Sequence, residues 1–262
     1  MSPCAKLREE RLRYTENTVL SAASLFSAFA PLFVLLGIVL VLLLMRTRRF
    51  YFVRHGETLL NAQRVRQGEE GLLSPKGRAQ AEKVGLYLKR FPIERIITST
   101  YPRAEETAAI LATELKVPVL ASKLFAERKN PSEIIGKSTR DPGVTRIVDQ
   151  MDLAYHADDF RFSDEESFLD IKVRARKALA LLSRQGARET VIVTHHHFLK
   201  MLLAYMLYRE NIHAGDFVKL SFFNISDNAG ITVCEFRPWQ MFSKTRGWKV
   251  ISFNEKAVEE YV

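Results

Sequence analysis

Between Arg49 and Asn254, short runs of β-branched and aromatic residues alternate with longer segments of helical character, and this alternation restricts the fold more than any other feature. "RFYFVRH" (Arg49–His55), "RIITST" (Arg95–Thr100), "KVPVLAS" (Lys116–Ser122), "TVIVTH" (Thr190–His195) and "GWKVISFN" (Gly247–Asn254) read as strands, the first of them buried. "LSPKGRAQAEKVGLYLKRF" reads as a helix with Ser74 as N-cap and Pro75 at its first position, and "YPRAEETAAILATEL" as a second with Pro102 near its start. Residues 126–160 are polar and rich in turn formers, a loop or lid with one helix near 143–154. A capping box of Ser163 and Glu166 then opens a long helix closed by Gly186, and "HFLKMLLAYMLYRE" forms another. "DFVKLSFFNISDNAGITVCEF" reads as a hairpin turning around "SDNAG". Such alternation predicts an α/β domain of three layers, with a mainly parallel sheet, helices on both faces and an antiparallel edge.

A second feature precedes this domain. Val19 to Met45 carries no charged residue, and it exceeds the roughly 20 apolar residues that span a bilayer core. The run ends in "LLLM" followed by "RTRR", without the small-residue cleavage site of a signal peptide, so a retained single-pass membrane anchor is expected over 19–45. A polar segment, 1–18, lies before it and the catalytic domain, 50–257, after it. Translation starting at Met45 is the competing reading. Arg46, Arg48 and Arg49 favour a cytoplasmic position for the domain that follows. The formal net charge is +9, and four cations against three carboxylates in 1–45 leave +8 on the rest, which suits anionic substrates or an anionic membrane face. Two cysteines, Cys4 and Cys234, and no CxxC argue against a disulfide framework.

In open α/β sheets ligands bind outside the carboxyl ends of the strands. "RHG" follows the first strand, "STYPR" the second and "THHH" the late one, so three polar clusters meet at one end of the sheet. Arg54 and Arg103 carry planar, permanently charged forks suited to phosphate oxygens. His55 and His195 can serve as nucleophile, acid, base or donor near neutral pH. Two guanidinium groups would repel a cation, so no metal is expected; a dianion is.

The motifs "RHGETLLN" (Arg54–Asn61), "LSPKGRAQA", "STYPRAEETA", "EES" (Glu165–Ser167) and "VTHHH" resemble, in order, the histidine phosphatase superfamily, in the branch that contains the cofactor-dependent phosphoglycerate mutases. The resemblance runs from Phe50 to about Asn254 and implies a phosphoglycerate mutase-like fold. It further implies that His55 attacks the phosphoryl group and becomes phosphohistidine, that Arg54, Arg103 and Asn61 hold phosphate oxygens, and that His195 completes the pocket. "FAERKN" resembles the segment that carries the family's general acid, which points to Glu127; a carboxyl beside a dianionic phosphate is well placed to protonate a leaving alkoxide. Glu57 and Thr58 orient the first turn. His196 and His197 depart from the small residues usual at their positions. They are expected to face opposite ways at a helix start, the alternative being that one of them narrows or furnishes the leaving-group site.

The expected activity is hydrolysis of a phosphomonoester through His55, without a cofactor and without a nucleic-acid partner. The substrate could be a small molecule, a lipid-linked phosphate or a phosphoprotein. One alternative is a phosphoglycerate-type phosphomutase, although "ERKNPSEIIGK" lacks the aromatic-glycine pair of the mutases. Another is a non-catalytic, membrane-tethered phosphate-binding module.

Overall fold

The structure, a computed structural model, describes residues 29–41, 46–153, 157–220, 226–240 and 242–257. The chain divides into two compact units, Met1–Arg46 and Thr47–Val262. In the first, residues 29–41 are helical (α1). The expected membrane span over 19–45 is not found: among the described residues no helix is long and apolar enough to cross a membrane. Residues 19–28 and 42–45 of the expected span lie outside the described residues.

The second unit is built on a sheet of six strands in the order β3-β2-β4-β1-β5-β6. These are β1 (Arg48–Arg54), β2 (Arg95–Thr98), β3 (Val119–Ala121), β4 (Glu189–Thr194), β5 (Ile231–Phe236) and β6 (Trp248–Glu255). The first four strands of that order run parallel, while β5 pairs antiparallel with β1 and with β6, giving the expected mixed sheet. The helices are α2 (Leu59–Ala62), α3 (Pro75–Leu88), α4 (Pro102–Leu115), α5 (Pro142–Leu153), α6 (Phe168–Ser183), α7 (His196–Tyr208) and α8 (Ala214–Lys219).

Period-two alternation in the strands sorts the helices into two outer layers. Phe50 and Phe52 of β1, with Ile192 of β4, pack in one cluster with Ile171, Ala175, Ala178 and Leu182 of α6 and most of α7. Tyr51 and Val53, with Val191 and Val193, pack on the opposite face against Val84 and Leu88 of α3 and Ala104, Ala108 and Leu111 of α4. Because β1 and β4 are buried on both faces, neither shows a polar alternation in sequence.

Helix starts follow cap chemistry. Ser74 Oγ accepts from the Gly77 N–H (3.0 Å) with Pro75 next in the chain, as expected. The long helix begins later than predicted. Its N-cap is Ser167, in a reciprocal box with Asp170, and it ends at Ser183 rather than at Gly186. The carboxylate of Glu166 is drawn away to Arg174 and to the Lys129 N–H, so it closes no box with Ser163. The predicted hairpin over Asp216–Phe236 is also corrected: its first part is helical in α8, residues 221–225 lie outside the described residues, and the antiparallel partners of β5 are β1 and β6.

The turn after β1 is seated by backbone against backbone. A Cβ on Gly77 would lie 2.0 Å from the Glu57 carbonyl oxygen, and one on Gly56 would lie 2.4 Å from the Gly77 carbonyl oxygen. Gly77→Ala should therefore cost about 1–3 kcal/mol by overpacking and push the turn away from α3. Gly186→Ala, where nothing lies within 4 Å, should be close to neutral. Urea denaturation of the two variants checks this; equal midpoints would refute it.

Candidate active site

The ends of β1, β4 and β2 are neighbours, and the backbone ladder continues past them. The His55 N–H donates to the Thr194 carbonyl (3.0 Å), and the Ser99 N–H donates to the Val193 carbonyl (3.0 Å). Those bonds bring the three polar clusters into one cleft. The His55 and His195 ring centroids lie 5.1 Å apart, and that of Tyr101 lies 5.2 Å from His195. The Arg103 guanidinium stands 4.9 Å from the Tyr101 ring.

His55 is buried, and its Nδ1 lies 2.8 Å from the Gly56 carbonyl oxygen. A carbonyl only accepts, so this contact assigns the proton to Nδ1 and leaves the Nε2 lone pair for chemistry. His195 Nε2 lies 2.7 Å from Ser99 Oγ, which in turn accepts from the Tyr101 N–H (3.2 Å). Burial, then the nearby Arg103 and Arg54, holds His55 well below the ordinary imidazole pKa. Burial also lowers His195, with His55 and both arginines adding to the effect. Both rings are neutral at physiological pH.

The guanidinium groups are held from behind by backbone carbonyls. Arg103 Nη1 donates to the carbonyls of Gly68 (3.0 Å), Glu69 (3.1 Å) and Glu70 (3.0 Å), and Arg54 Nη1 donates to that of Ser226. Arg54 Nε, Arg103 Nε and His195 Nδ1 are buried with no hydrogen-bond partner among the described residues. Buried polar atoms are normally paired, so the orphan atoms in this cluster suit an oxyanion. Among the described residues there is no cluster of His, Cys, Asp and Glu that could hold a metal ion.

Asn61 lies at the first turn of α2, where its Oδ1 accepts from the Thr58 N–H (3.3 Å) and, more weakly, from Asn228 Nδ2 (3.5 Å). Glu57 and Thr58 do order this turn: Thr58 caps α2, and the Glu57 carboxylate accepts from Ser74 Oγ and Lys76 Nζ. Glu127 meets the same cleft at the start of α7. Its Oε1 accepts from the N–H groups of Arg128 (2.9 Å) and Phe198 (2.9 Å), and its Oε2 from that of His197 (3.2 Å). The N–H groups of His197 and Phe198 belong to the first turn of α7 and have no acceptor within the helix.

Sequence reasoning missed what positions these groups. Arg174 makes a two-point contact with Glu166 (2.9 and 2.6 Å) and donates to the carbonyls of Ala126 (2.6 Å) and Glu127 (3.3 Å), clamping the strand of chain that carries Glu127. Ser99 and Tyr101 stood inside a recognised motif, so proximity alone could have flagged them. The Gly68–Glu70 carbonyls have no side-chain signature to read. His196 and His197 do diverge, toward Ser226 Oγ (2.6 Å) and the Phe217 ring (5.3 Å), yet both line one cavity beside Glu127.

Residues 50–249 match the histidine phosphatase superfamily (branch 1), and the chain belongs to that family. It is 30% identical over 164 residues to a probable phosphoglycerate mutase of Enterobacter sp. (strain 638), an alignment covering 60% of this chain and 74% of that protein. It is 27% identical over 175 residues to a broad-specificity phosphatase of Saccharomyces cerevisiae, covering 62% of this chain and 72% of that one. A mycobacterial glucosyl-3-phosphoglycerate phosphatase solved with VO3 shares the fold at a TM-score of 0.64, with 23% identity over 80% of this chain and 100% of that chain. A putative alpha-ribazole-5'-P phosphatase of Escherichia coli shares it at 0.67, with 18% identity over 81% and 98%.

The buried neutral histidines carry a pH consequence. An unfolded imidazole takes up a proton near pH 6.5, whereas the folded pKa of His55 and His195 is depressed, so the unfolded state binds more protons below that pH. Stability should hold above about pH 6.5 and fall below it, by about 1.4 kcal/mol per pH unit for each histidine that stays neutral. Urea midpoints at pH 7.5, 6.5 and 5.5 test this, and His55→Ala should flatten the slope. A wild-type midpoint that does not move would refute it.

Proposed function

We propose that the chain is a phosphomonoester hydrolase that works through a phosphohistidine on His55. The observation that carries this reading is the commitment of His55 Nδ1 to the Gly56 carbonyl, which aims a neutral Nε2 into a cleft walled by Arg54 and Arg103. In the first step Nε2 bonds to phosphorus and the bond from phosphorus to the leaving oxygen breaks. Glu127 gives that oxygen a proton. Its Oε2 accepts one backbone N–H where Oε1 accepts two, so Oε2 is the oxygen with room to carry the proton. In the second step water attacks the phosphohistidine, the N–P bond breaks, and Glu127 takes the proton released. Arg54, Arg103, Asn61 and His195 Nδ1 stabilise charge on the equatorial oxygens, the main task of a protein in phosphoryl transfer.

A phosphoglycerate-type mutase is the second reading, favoured by the activity named for the Enterobacter relative. It differs only in the acceptor of the second transfer, which would be a hydroxyl of the substrate instead of water. Phosphate release from 4-nitrophenyl phosphate and from a panel of metabolite monoesters separates the two. Hydrolysis predicts stoichiometric release; a mutase would show isomerisation stimulated by a bisphosphate primer. His55→Ala should abolish release together with an acid-labile, alkali-stable label on the protein, and survival of the label would sink the proposal. Arg103→Ala should lower kcat about 10²–10³-fold, the scale for one lost donor to transition-state charge.

A further inference from the structure

The loop that joins β5 to β6 lies at the other end of the sheet from His55. β5 begins beside the end of β1, where Ile231 pairs with Val53, and finishes beside its start, where Phe236 pairs with Arg48. β1 has seven residues, so about 20 Å separates the two ends. The connecting segment, "RPWQMFSKTRG" (237–247), holds three cations and no carboxylate. Its neck is closed by the Arg237 N–H, which donates to the Gly247 carbonyl (2.8 Å), and by the buried rings of Phe236 and Trp248, 5.2 Å apart. Within the loop the N–H groups of Gln240, Ser243 and Arg246 donate in turn to the carbonyls of Arg237, Gln240 and Ser243 (each 2.9 Å).

This internally bonded loop presents apolar and basic groups to solvent. Phe242 is fully exposed, and Trp239, one turn before it, is 50% exposed. Phe242, Lys244 and Arg246 border a depression of about 970 Å³ whose other rim is the C-terminal end of α7, with Leu207 and Tyr208 exposed and Arg209 next in the chain. The single carboxylate among its lining residues is that of Glu210, which accepts from the Tyr205 hydroxyl and pairs with Arg176 (3.6 Å). Among the described residues no carboxylate forms an ion pair with Arg209, Lys244 or Arg246. Single exposed apolar residues are ordinary on a protein surface, but large ones grouped beside cations mark a surface of interaction.

We infer that this end of the second unit docks peripherally on an anionic lipid surface: Trp239 and Phe242 enter the headgroup region, and Arg209, Lys244 and Arg246 meet the lipid phosphates and carboxylates. Protruding apolar side chains flanked by cations fit a fluid, negatively charged interface, where tryptophan is favoured and each nearby lysine or arginine is attracted. The loop turns the N–H groups of Gln240, Ser243 and Arg246 inward, so it offers few of the directional hydrogen bonds that a protein partner would match. Docking of this kind needs no helix that crosses the bilayer. It turns the His55 cleft, at the far end of the sheet, toward water. The inference goes beyond the hydrolase reading and does not rest on it.

Trp239 reports on the contact directly. In the full chain its emission should shift to the blue, and be quenched by nitroxide-labelled lipid, on addition of phosphatidylcholine vesicles that contain phosphatidylserine. Both effects should vanish in Trp239→Phe, which keeps only the buried Trp248. High salt, or vesicles of phosphatidylcholine alone, should also remove them. Phe242→Ser and the pair Lys244→Glu with Arg246→Glu should each weaken vesicle affinity about tenfold or more; thermal melts report whether each variant is folded. A Trp239 that is neither shifted nor quenched in the wild type would overturn the inference. So would quenching that neutral vesicles produce equally, or that neither set of substitutions weakens. Retention of the chain on immobilised poly-glutamate, with no response to vesicles, would assign the face to an acidic protein instead and overturn it as well.

Discussion

Two guanidinium groups, that of Arg54 at the end of β1 and that of Arg103 in the first turn of α4, set the terms for the rest of the second unit. A buried cation is tolerable only where oxygens surround it, and here backbone carbonyls supply them: Gly68, Glu69 and Glu70 behind Arg103, and Ser226 behind Arg54. Loops with no regular structure are thereby fixed in place, because their carbonyls must point inward. The same positive field, added to burial, lowers the pKa of His55 and of His195 and favours their neutral forms. Cation burial, loop conformation and imidazole protonation are one coupled arrangement.

A second arrangement holds the other side of the cleft. The first turn of α7 has no side-chain cap of its own; the Glu127 carboxylate from a distant loop accepts its N–H groups instead. That loop is in turn held by the Arg174–Glu166 pair and by Thr194 Oγ1, which donates to the Phe125 carbonyl (2.8 Å). Glu127, on a segment without regular secondary structure, thus acquires a defined position at the helix that also carries His196, His197 and Lys200.

Much of this was legible in the sequence. Ser74-Pro75 and Tyr101-Pro102 marked two helix starts correctly because caps and prolines act within one turn of chain. The long helix was misplaced at its start because two Ser-x-x-acid patterns, Ser163–Glu166 and Ser167–Asp170, compete, and a contact from Glu166 to Arg174 decides between them. The stretch Asp216–Lys219 was misread as strand because its alternation is too short to tell a period of two from one of 3.6. Of the uncharged run Val19–Met45, residues 29–41 are helical, and among the described residues no helix is long and apolar enough to cross a membrane.

Arg54, His55 and His195 could be named from sequence because each ends a strand or opens the turn after one, and Arg103 because it lies in the first turn of the helix that follows β2; a parallel sheet brings those ends together. Their residue types and their meeting point were therefore fixed by local pattern and chain topology. What surrounds them was not. The carbonyl collar, the clamp on Glu127 and the cavity beside it join residues far apart in the chain through backbone oxygens and buried faces. Such contacts leave no periodic or motif trace, and only the folded chain brings them together.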